Sequence, residues 1–253
     1  MRGVGPDRLS PVSRHRQAPP DSRVEQLLDG EGLGPVAAMD EVGRGAWAGP
    51  VSVGLVVMAA GVEPPDGVRD SKLLTEARRE ELFPLIASWC LEWSVGHASA
   101  GECDTLGMTA ALRLASHRAL AGIGTVPGTI LLDGPHDYVS SSAAVEERSA
   151  RSPGSRVPPD RALRVPEDCA LRVPAVRTVV GGDATSVSIA AASVLAKVVR
   201  DRLMRSWAQS FPPFDFDRNK GYPTAAHRRA LAGHGLTSLH RRSWSYVDQL
   251  AFR

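Results

Sequence analysis

Four carboxylates stand out in this sequence because of what precedes them. Asp40 and Glu41 directly follow the apolar run 36–39, Asp133 ends the run TILLD, and Asp183 follows VRTVVGG. If the first and fourth strands are neighbours, these acids converge at one end of a sheet. Carboxylates gathered in one cleft repel, raise one another's pKa and destabilise the fold unless cations neutralise them. A site rich in oxygen and free of thiol and imidazole suits Mg²⁺ or Mn²⁺. Two such ions about 3.5–4 Å apart clamp an in-line phosphoryl displacement, activating water on one side and stabilising the leaving oxygen on the other. Taken singly, each acid also reads as a helix cap or a solvated loop residue, and spacing alone does not show that they meet.

The surrounding pattern predicts the elements that must position these acids. Runs 36–39 and 51–58 flank the glycine-rich GRGAWAGP and read as paired strands joined by a tight turn. Residues 75–88 read as a helix capped by Thr75, 92–97 as a third strand, 105–123 as one helix and 129–133 as a short strand. Order resumes at 176–180 with a strand, then 187–208 as a long helix with small residues at 190–193, and 224–232 as a helix entered through GYP. A hairpin followed by alternating helices and strands predicts a mixed sheet with helices packed on it.

Residues 1–34 are rich in Pro, Gly, Arg and Ser and are expected to be a disordered tail, within which 24–28 could form a helical turn. Residues 138–175 carry serine runs, prolines and a duplicated ALRVP, and are expected to form a flexible surface insertion. Three widely spaced cysteines without a CxxC fit free thiols in a reducing compartment. No run approaches the roughly 18 apolar residues of a membrane span, and the first residues lack the apolar core of an export signal. A cytoplasmic protein is expected, and nothing demands more than a monomer. Between 218 and 242 lie six Lys/Arg and three His with no Asp or Glu, an electrostatic footprint for phosphate or, equally, a solvated basic face.

Five blocks, in order, carry a family resemblance. AAMDEVGRGAWAGPV (37–51), DSKLLTEARREELF (70–83), LLDG (131–134), GDATSVSIAAASVLAKVVRD (182–201), and KGYPTAAH with HGLTSLHRRSW (220–227 and 234–244) together resemble bacterial ribonuclease HII. The resemblance spans about 35–244 apart from the insertion. It implies an α/β ribonuclease H-like fold: a mixed five-stranded sheet flanked by helices, with a C-terminal helical extension at about 205–244 and a tail at 245–253. It implies an endoribonuclease that hydrolyses the RNA strand of RNA–DNA hybrids. It also implies a cut 5′ of single ribonucleotides embedded in duplex DNA, by a two-metal-ion mechanism leaving 3′-OH and 5′-phosphate. Asp40, Glu41, Asp133 and Asp183 fall on the family's metal-binding acids, with Mn²⁺ or Mg²⁺ as cofactor. The backbone of Gly43, Arg44 and Gly45 falls on the turn that senses the 2′-hydroxyl, a task suited to residues without Cβ. Tyr222 falls on a tyrosine that stacks on the sugar after the ribonucleotide, and Ser71 and Lys72 fall near the DNA backbone.

The sequence departs from the family pattern in three places. Gly181 stands where a basic residue is common, Pro135 follows LLDG, and 50 positions separate Asp133 from Asp183. A catalytically weak binder of RNA–DNA hybrids, or another nuclease on the same fold, therefore remains beside the active enzyme as an alternative. The ending VDQLAFR (247–253) is similar to Gln-Leu…Phe peptides that bind sliding clamps, and the last turn of a helix accounts for the same residues.

Overall fold

Among the described residues five strands form one mixed sheet. The computed structural model describes residues 19–32, 34–58, 61–140 and 174–249. The strands are β1 (Val36–Val42), β2 (Val51–Val57), β3 (Glu92–Ala98), β4 (Thr129–Asp133) and β5 (Ala175–Val179), in the order β3-β2-β1-β4-β5. β1 pairs antiparallel with β2 and β2 with β3, while β4 lies parallel to β1 and β5 parallel to β4. The first and fourth strands are thus neighbours, as convergence of the acids requires.

The period of two along the strands assigns the faces. On one face Val51, Val53, Leu55 and Val57 pack with Ala111, Leu112 and Ala115 of α4 (Met108–Ala121). On the other, Val56 meets Leu82 and Ile86 of α2 (Glu76–Trp89) and Ala191, Ala192 and Leu195 of the long helix α6 (Val187–Ala208). The small residues at 190–193 let α6 lie directly on the sheet. A Cβ on Gly54 would stand 2.4 Å from the carbonyl oxygen of Ala192, and one on Gly96 would stand 2.0 Å from that of Ala115.

A C-terminal lobe closes over the end of the sheet that carries the turn 43–50. It contains α7 (Phe216–Asn219) and α8 (Ala225–His234), and its own core joins Phe214, Phe216, Leu231 and Tyr246 to Ala48 and Met204. No helix among the described residues is long and apolar enough to cross a membrane.

Several expectations need correction. The tail expected through residue 34 contains α1 (Arg23–Gly30), which packs Val24 and Leu28 against Val36, Ala38, Leu131 and Ile189. Residues 1–18 lie outside the described residues. The single helix expected over 105–123 is two, α3 (Ala100–Leu106) and α4, separated by Gly107 at φ +77, a conformation that ends a helix and favours glycine. Both ends of the expected insertion, 138–175, belong to the ordered core. Tyr138 and Val139 are buried in the main core, β5 begins at Ala175, and 141–173 lie outside the described residues. The C-terminal boundary also moves, because Tyr246 stacks on Trp47 with ring centroids 4.1 Å apart. The clamp-like ending reaches past the described residues at 250–253.

Gly54→Ala and Gly96→Ala should each destabilise the protein by about 1–3 kcal/mol, because backbone rather than a mobile side chain blocks the added methyl. Gly101→Ala in α3, where a Cβ meets nothing, should be neutral or stabilising by up to about 1 kcal/mol. Urea denaturation of the three variants checks the contrast.

Candidate active site

β1 does not stop at Met39, as expected, but continues through Val42. Asp40 and Glu41 therefore lie within the strand, and consecutive strand residues point to opposite faces. Asp40 shares its face with Ala38 and α6. Glu41 shares the other with Met39, where the Tyr138 hydroxyl donates to its Oε2 at 3.3 Å. The parallel register, Ala38 with Leu131 and Met39 with Leu132, brings Asp40 level with Asp133 on the adjacent strand. Asp183 arrives from beyond β5 on the one-turn helix α5 (Gly182–Thr185), tied to β4 by the Gly182 N–H donating to Asp133 Oδ1 at 2.7 Å.

Asp40 and Asp133 lie near enough to other acids to feel their charge. Asp40 is 3% exposed. Burial pushes its pKa well above the ordinary carboxylate value, and the charges of Glu41 and Asp133 push it further, against partial relief from the Ser193 hydroxyl and Lys72. Burial also raises Asp133, followed by the charge of Asp183, while the N–H groups of Gly182 and Asp183 oppose the rise. Two cations lie beside the acids: Lys72, with Nζ 3.4 Å from Asp183 Oδ2 and 3.9 Å from Asp70 Oδ1, and Arg44, with Nη1 3.5 Å from Glu41 Oε1. Burial disfavours the charge of Lys72, but Asp70, Asp40 and Asp183 outweigh that and hold its pKa above the usual lysine value.

Among the described residues no three His, Cys, Asp or Glu side chains are arranged to hold one ion. The donor set nevertheless fits hard divalent cations. It offers carboxylate oxygens alone, and its excess negative charge is one that a divalent ion would relieve.

Two buried arginines, missed from the sequence, shape the approach to this site. Arg200 and Arg241 are both fully buried, and carbonyl oxygens receive their guanidinium groups. Arg241 donates to the carbonyls of Gly43 (2.7 Å), Arg44 (3.0 Å) and Gly49 (3.2 Å). Arg200 donates to those of Pro50 (2.9 Å), Lys220 (2.9 Å) and Ala48 (3.2 Å). Burial lowers both pKa values, that of Arg200 to about 10. The Gly43–Gly45 turn is thereby bolted to the turn that presents Tyr222. The bolting is tightened by N–H bonds from Trp47 (2.8 Å) and Ala48 (3.2 Å) to the Gly221 carbonyl. Gly43, at φ +84, lies so close to Arg200 that a Cβ would stand 2.3 Å from its Nε. The Tyr222 ring is half-exposed, with Lys197 Nζ and Arg200 Cζ each 5.6 Å from its centroid. The signal for Arg200 was available as one polar stripe, Ser193, Lys197 and Arg200, at helical spacing on a largely apolar helix. Tyr138 offered no signal, because it stands in the stretch expected to be insertion.

The basic run divides in two. Arg218, Arg228, Arg229 and Arg242 are exposed, whereas Lys220, Arg241, His227 and His240 are buried structural groups. Ser71 is also buried, its hydroxyl accepting from Ser193 at 2.7 Å, so the expected contact with a DNA backbone falls to Lys72. Gly181 adopts φ +66 and ψ +36 as it leads into α5, a left-handed conformation that a lysine there would hold only under strain.

The two buried histidines form a chain whose tautomers follow from their partners. His240 Nδ1 accepts the Thr237 N–H at 3.0 Å, so its Nε2 donates to His227 Nε2 at 2.9 Å, and His227 Nδ1 donates to the Tyr222 carbonyl at 2.9 Å. Burial, then the charges of His227 and Arg242, push His240 down to about 3.

A family model for ribonuclease HII matches residues 37–247. The ribonuclease HII of Streptomyces griseus is 44% identical over 236 residues, covering 92% of this chain and 86% of its own. That of Paracoccus denitrificans is 41% identical over 231 residues, covering 91% and 94%. The crystal structure of ribonuclease H2 from Pyrococcus horikoshii OT3 shares the fold, with a TM-score of 0.60 at 24% identity over 85% of this chain and 96% of that one.

Two measurements check the site. Asp40→Asn removes a buried charge that its neighbours repel, so it should raise the metal-free melting midpoint while reducing the further rise that Mn²⁺ produces in the parent. Below about pH 6.5 the unfolded chain protonates His240, which the folded chain resists down to about pH 3, so stability is lost as pH falls through that window. The loss should be on the order of 2 kcal/mol by pH 5. His240→Gln should flatten the slope of stability between pH 7 and pH 5, and an unchanged slope would contradict the assignment.

Proposed function

This chain belongs to the ribonuclease HII family, a ribonuclease H-like fold with metal-dependent hydrolase activity on RNA–DNA hybrids, and from that premise we propose that it also cuts 5′ of a single ribonucleotide embedded in duplex DNA. The observation that carries this reading is the pairing of two features at one sheet end. The four acids gather there, and beside them the Gly43–Gly45 turn is clamped to the Tyr222 turn by Arg200 and Arg241.

Asp40, Glu41, Asp133 and Asp183 would hold two divalent ions, Mg²⁺ or Mn²⁺, which when bound supply a water nucleophile and stabilise the leaving oxygen. The chain's own groups do the rest. Exposed Gly45, where a Cβ would meet nothing, leaves room for a sugar to approach the backbone and its 2′-hydroxyl to be tested. Tyr222 offers a ring face that checks sugar shape without reading a base. Lys72 lies beside the acids on a loop held by Arg79, which donates to the carbonyls of Ser71 (2.9 Å) and Leu74 (2.6 Å), and is placed to meet a phosphate. The exposed arginines of the C-terminal lobe hold the flanking backbone, so affinity falls with salt. Action as a monomer in a reducing cytoplasm completes the reading.

Cleavage of an end-labelled DNA duplex carrying one ribonucleotide tests the reading. A single cut 5′ of the ribonucleotide is expected with Mn²⁺ or Mg²⁺, lost in chelator and in Asp133→Asn. Tyr222→Ala should lower kcat/KM on that substrate by roughly 5- to 150-fold through lost stacking. Cleavage confined to long RNA tracts would remove the roles given to Gly43–Gly45 and Tyr222.

A further inference from the structure

The turn that carries Asp183 is gripped from two sides. On the sheet side Asp133 accepts the N–H of Gly182. On the other side lies the segment 19–30, which the chemistry above does not use. The Asp21 carbonyl accepts the Val187 N–H at 3.0 Å, and its own N–H reaches the Thr185 carbonyl at 3.3 Å, forming a parallel bridge with Ser186. One turn further on, Glu25 is 5% exposed. Its Oε1 accepts three donors: Ser186 Oγ at 2.5 Å, Ser188 Oγ at 2.5 Å and the Ser188 N–H at 3.0 Å.

Two further observations give this contact meaning beyond docking a helix. Ser186 stands three residues after Asp183 and caps α6, its hydroxyl accepting the Ile189 N–H at 3.3 Å while donating to Glu25. Glu25 therefore holds the joint between the Asp183 turn and the helix behind it. The other oxygen of Glu25 is buried with no hydrogen-bond partner. An apolar side chain would avoid that cost, which amounts to about 1–3 kcal/mol for a buried unsatisfied group. Its neighbours Val24 and Leu28 pack on Ile189, whose Cδ1 stands 2.4 Å from where a Gly182 Cβ would lie. Pro19 and Pro20 line the same hollow as Asp183 and Ala184, facing Arg69, Asp70 and Leu73. Without this grip, a four-residue helix entered through two glycines has little to define it.

We propose that residues 19–30 form part of the metal-site scaffold, with Glu25 as the positioning residue for Asp183, acting through Ser186 and Ser188. The inference rests on the reading of Asp183 as a metal-holding acid. Glu25 touches no substrate; it fixes where the Asp183 carboxylate waits. Outer partners of this kind typically change metal affinity 10- to 100-fold when removed.

The test uses the full chain and Mn²⁺ alone, followed by calorimetry, with hydrogen exchange of the amides at 183–188 read alongside. Glu25→Gln should weaken Mn²⁺ binding about tenfold or more and speed that exchange at least tenfold. Glu31→Gln breaks the exposed pair of the same segment with Arg177 (2.6 Å) and should change neither. If Glu25→Gln does not fold, Ser186→Ala severs the link from the other side and carries the same expectation. Faster exchange with unaltered Mn²⁺ affinity would reduce Glu25 to a structural anchor and overturn the inference. So would parental behaviour of Glu25→Gln in both readouts while Asp183→Asn loses Mn²⁺ affinity, and the reading of Asp183 would then stand. Parental Mn²⁺ affinity in Asp183→Asn would instead remove the reading underneath.

Discussion

Like charges held together in a partly buried cleft are the constraint around which this molecule is organised. The charges of Glu41 and Asp133 bear on Asp40 and that of Asp183 bears on Asp133, and burial penalises the ionised forms of Asp40 and Asp133 further. The acids stay near one another only because each is fixed by backbone that has other reasons to be where it is. Asp40 and Glu41 sit in a central strand paired on both edges, and Asp133 ends the parallel neighbour of that strand. Asp183 begins a turn tied to Asp133 on one side and to the N-terminal segment on the other. The site's instability is thus offset by the sheet, and a divalent cation would convert the stored repulsion into binding affinity.

The seam between sheet and C-terminal lobe solves the opposite problem, that of burying positive charge. The donors of Arg200 and Arg241 meet backbone rather than carboxylates among the described residues. Six carbonyl oxygens, from Gly43, Arg44, Ala48, Gly49, Pro50 and Lys220, receive their donors. A planar fork of fixed donors suits this because it fixes the relative positions of the carbonyls it bridges. Those carbonyls belong to the turns that carry Gly43–Gly45 and Tyr222, so the spacing between the two is set by guanidinium geometry. The buried His227–His240 chain extends the same order to the Tyr222 carbonyl.

Much of this was legible in one dimension because it depends on local pattern. The strands announced themselves by apolar runs, the long helix by its length and small residues, and Thr75 by its capping position. The acids were legible as residues that follow apolar runs. The N-terminal segment was legible only as a single turn at 24–28, because its amphipathic stretch is two turns long and packs against Ile189 and Leu131, which lie far along the chain. Gly107 was passed over because glycine inside an apolar period does not declare whether it is tolerated or breaks the helix. The basic run misled in part, since a guanidinium that meets phosphate and one that meets carbonyls look alike in a sequence.

Residue type and order alone determined the fold class and the family, because strands need those apolar periods and the family's motifs are short local blocks, and they singled out the four acids as candidates. Only the tertiary structure decided that Asp40 and Glu41 face opposite sides of one strand, since that depends on where β1 ends. It alone separated the exposed arginines from the buried ones, because burial is a property of what packs over a residue. It also decided that a segment expected to be a tail packs on the start of α6, because three hydrogen bonds to Glu25 come from residues more than 160 positions away.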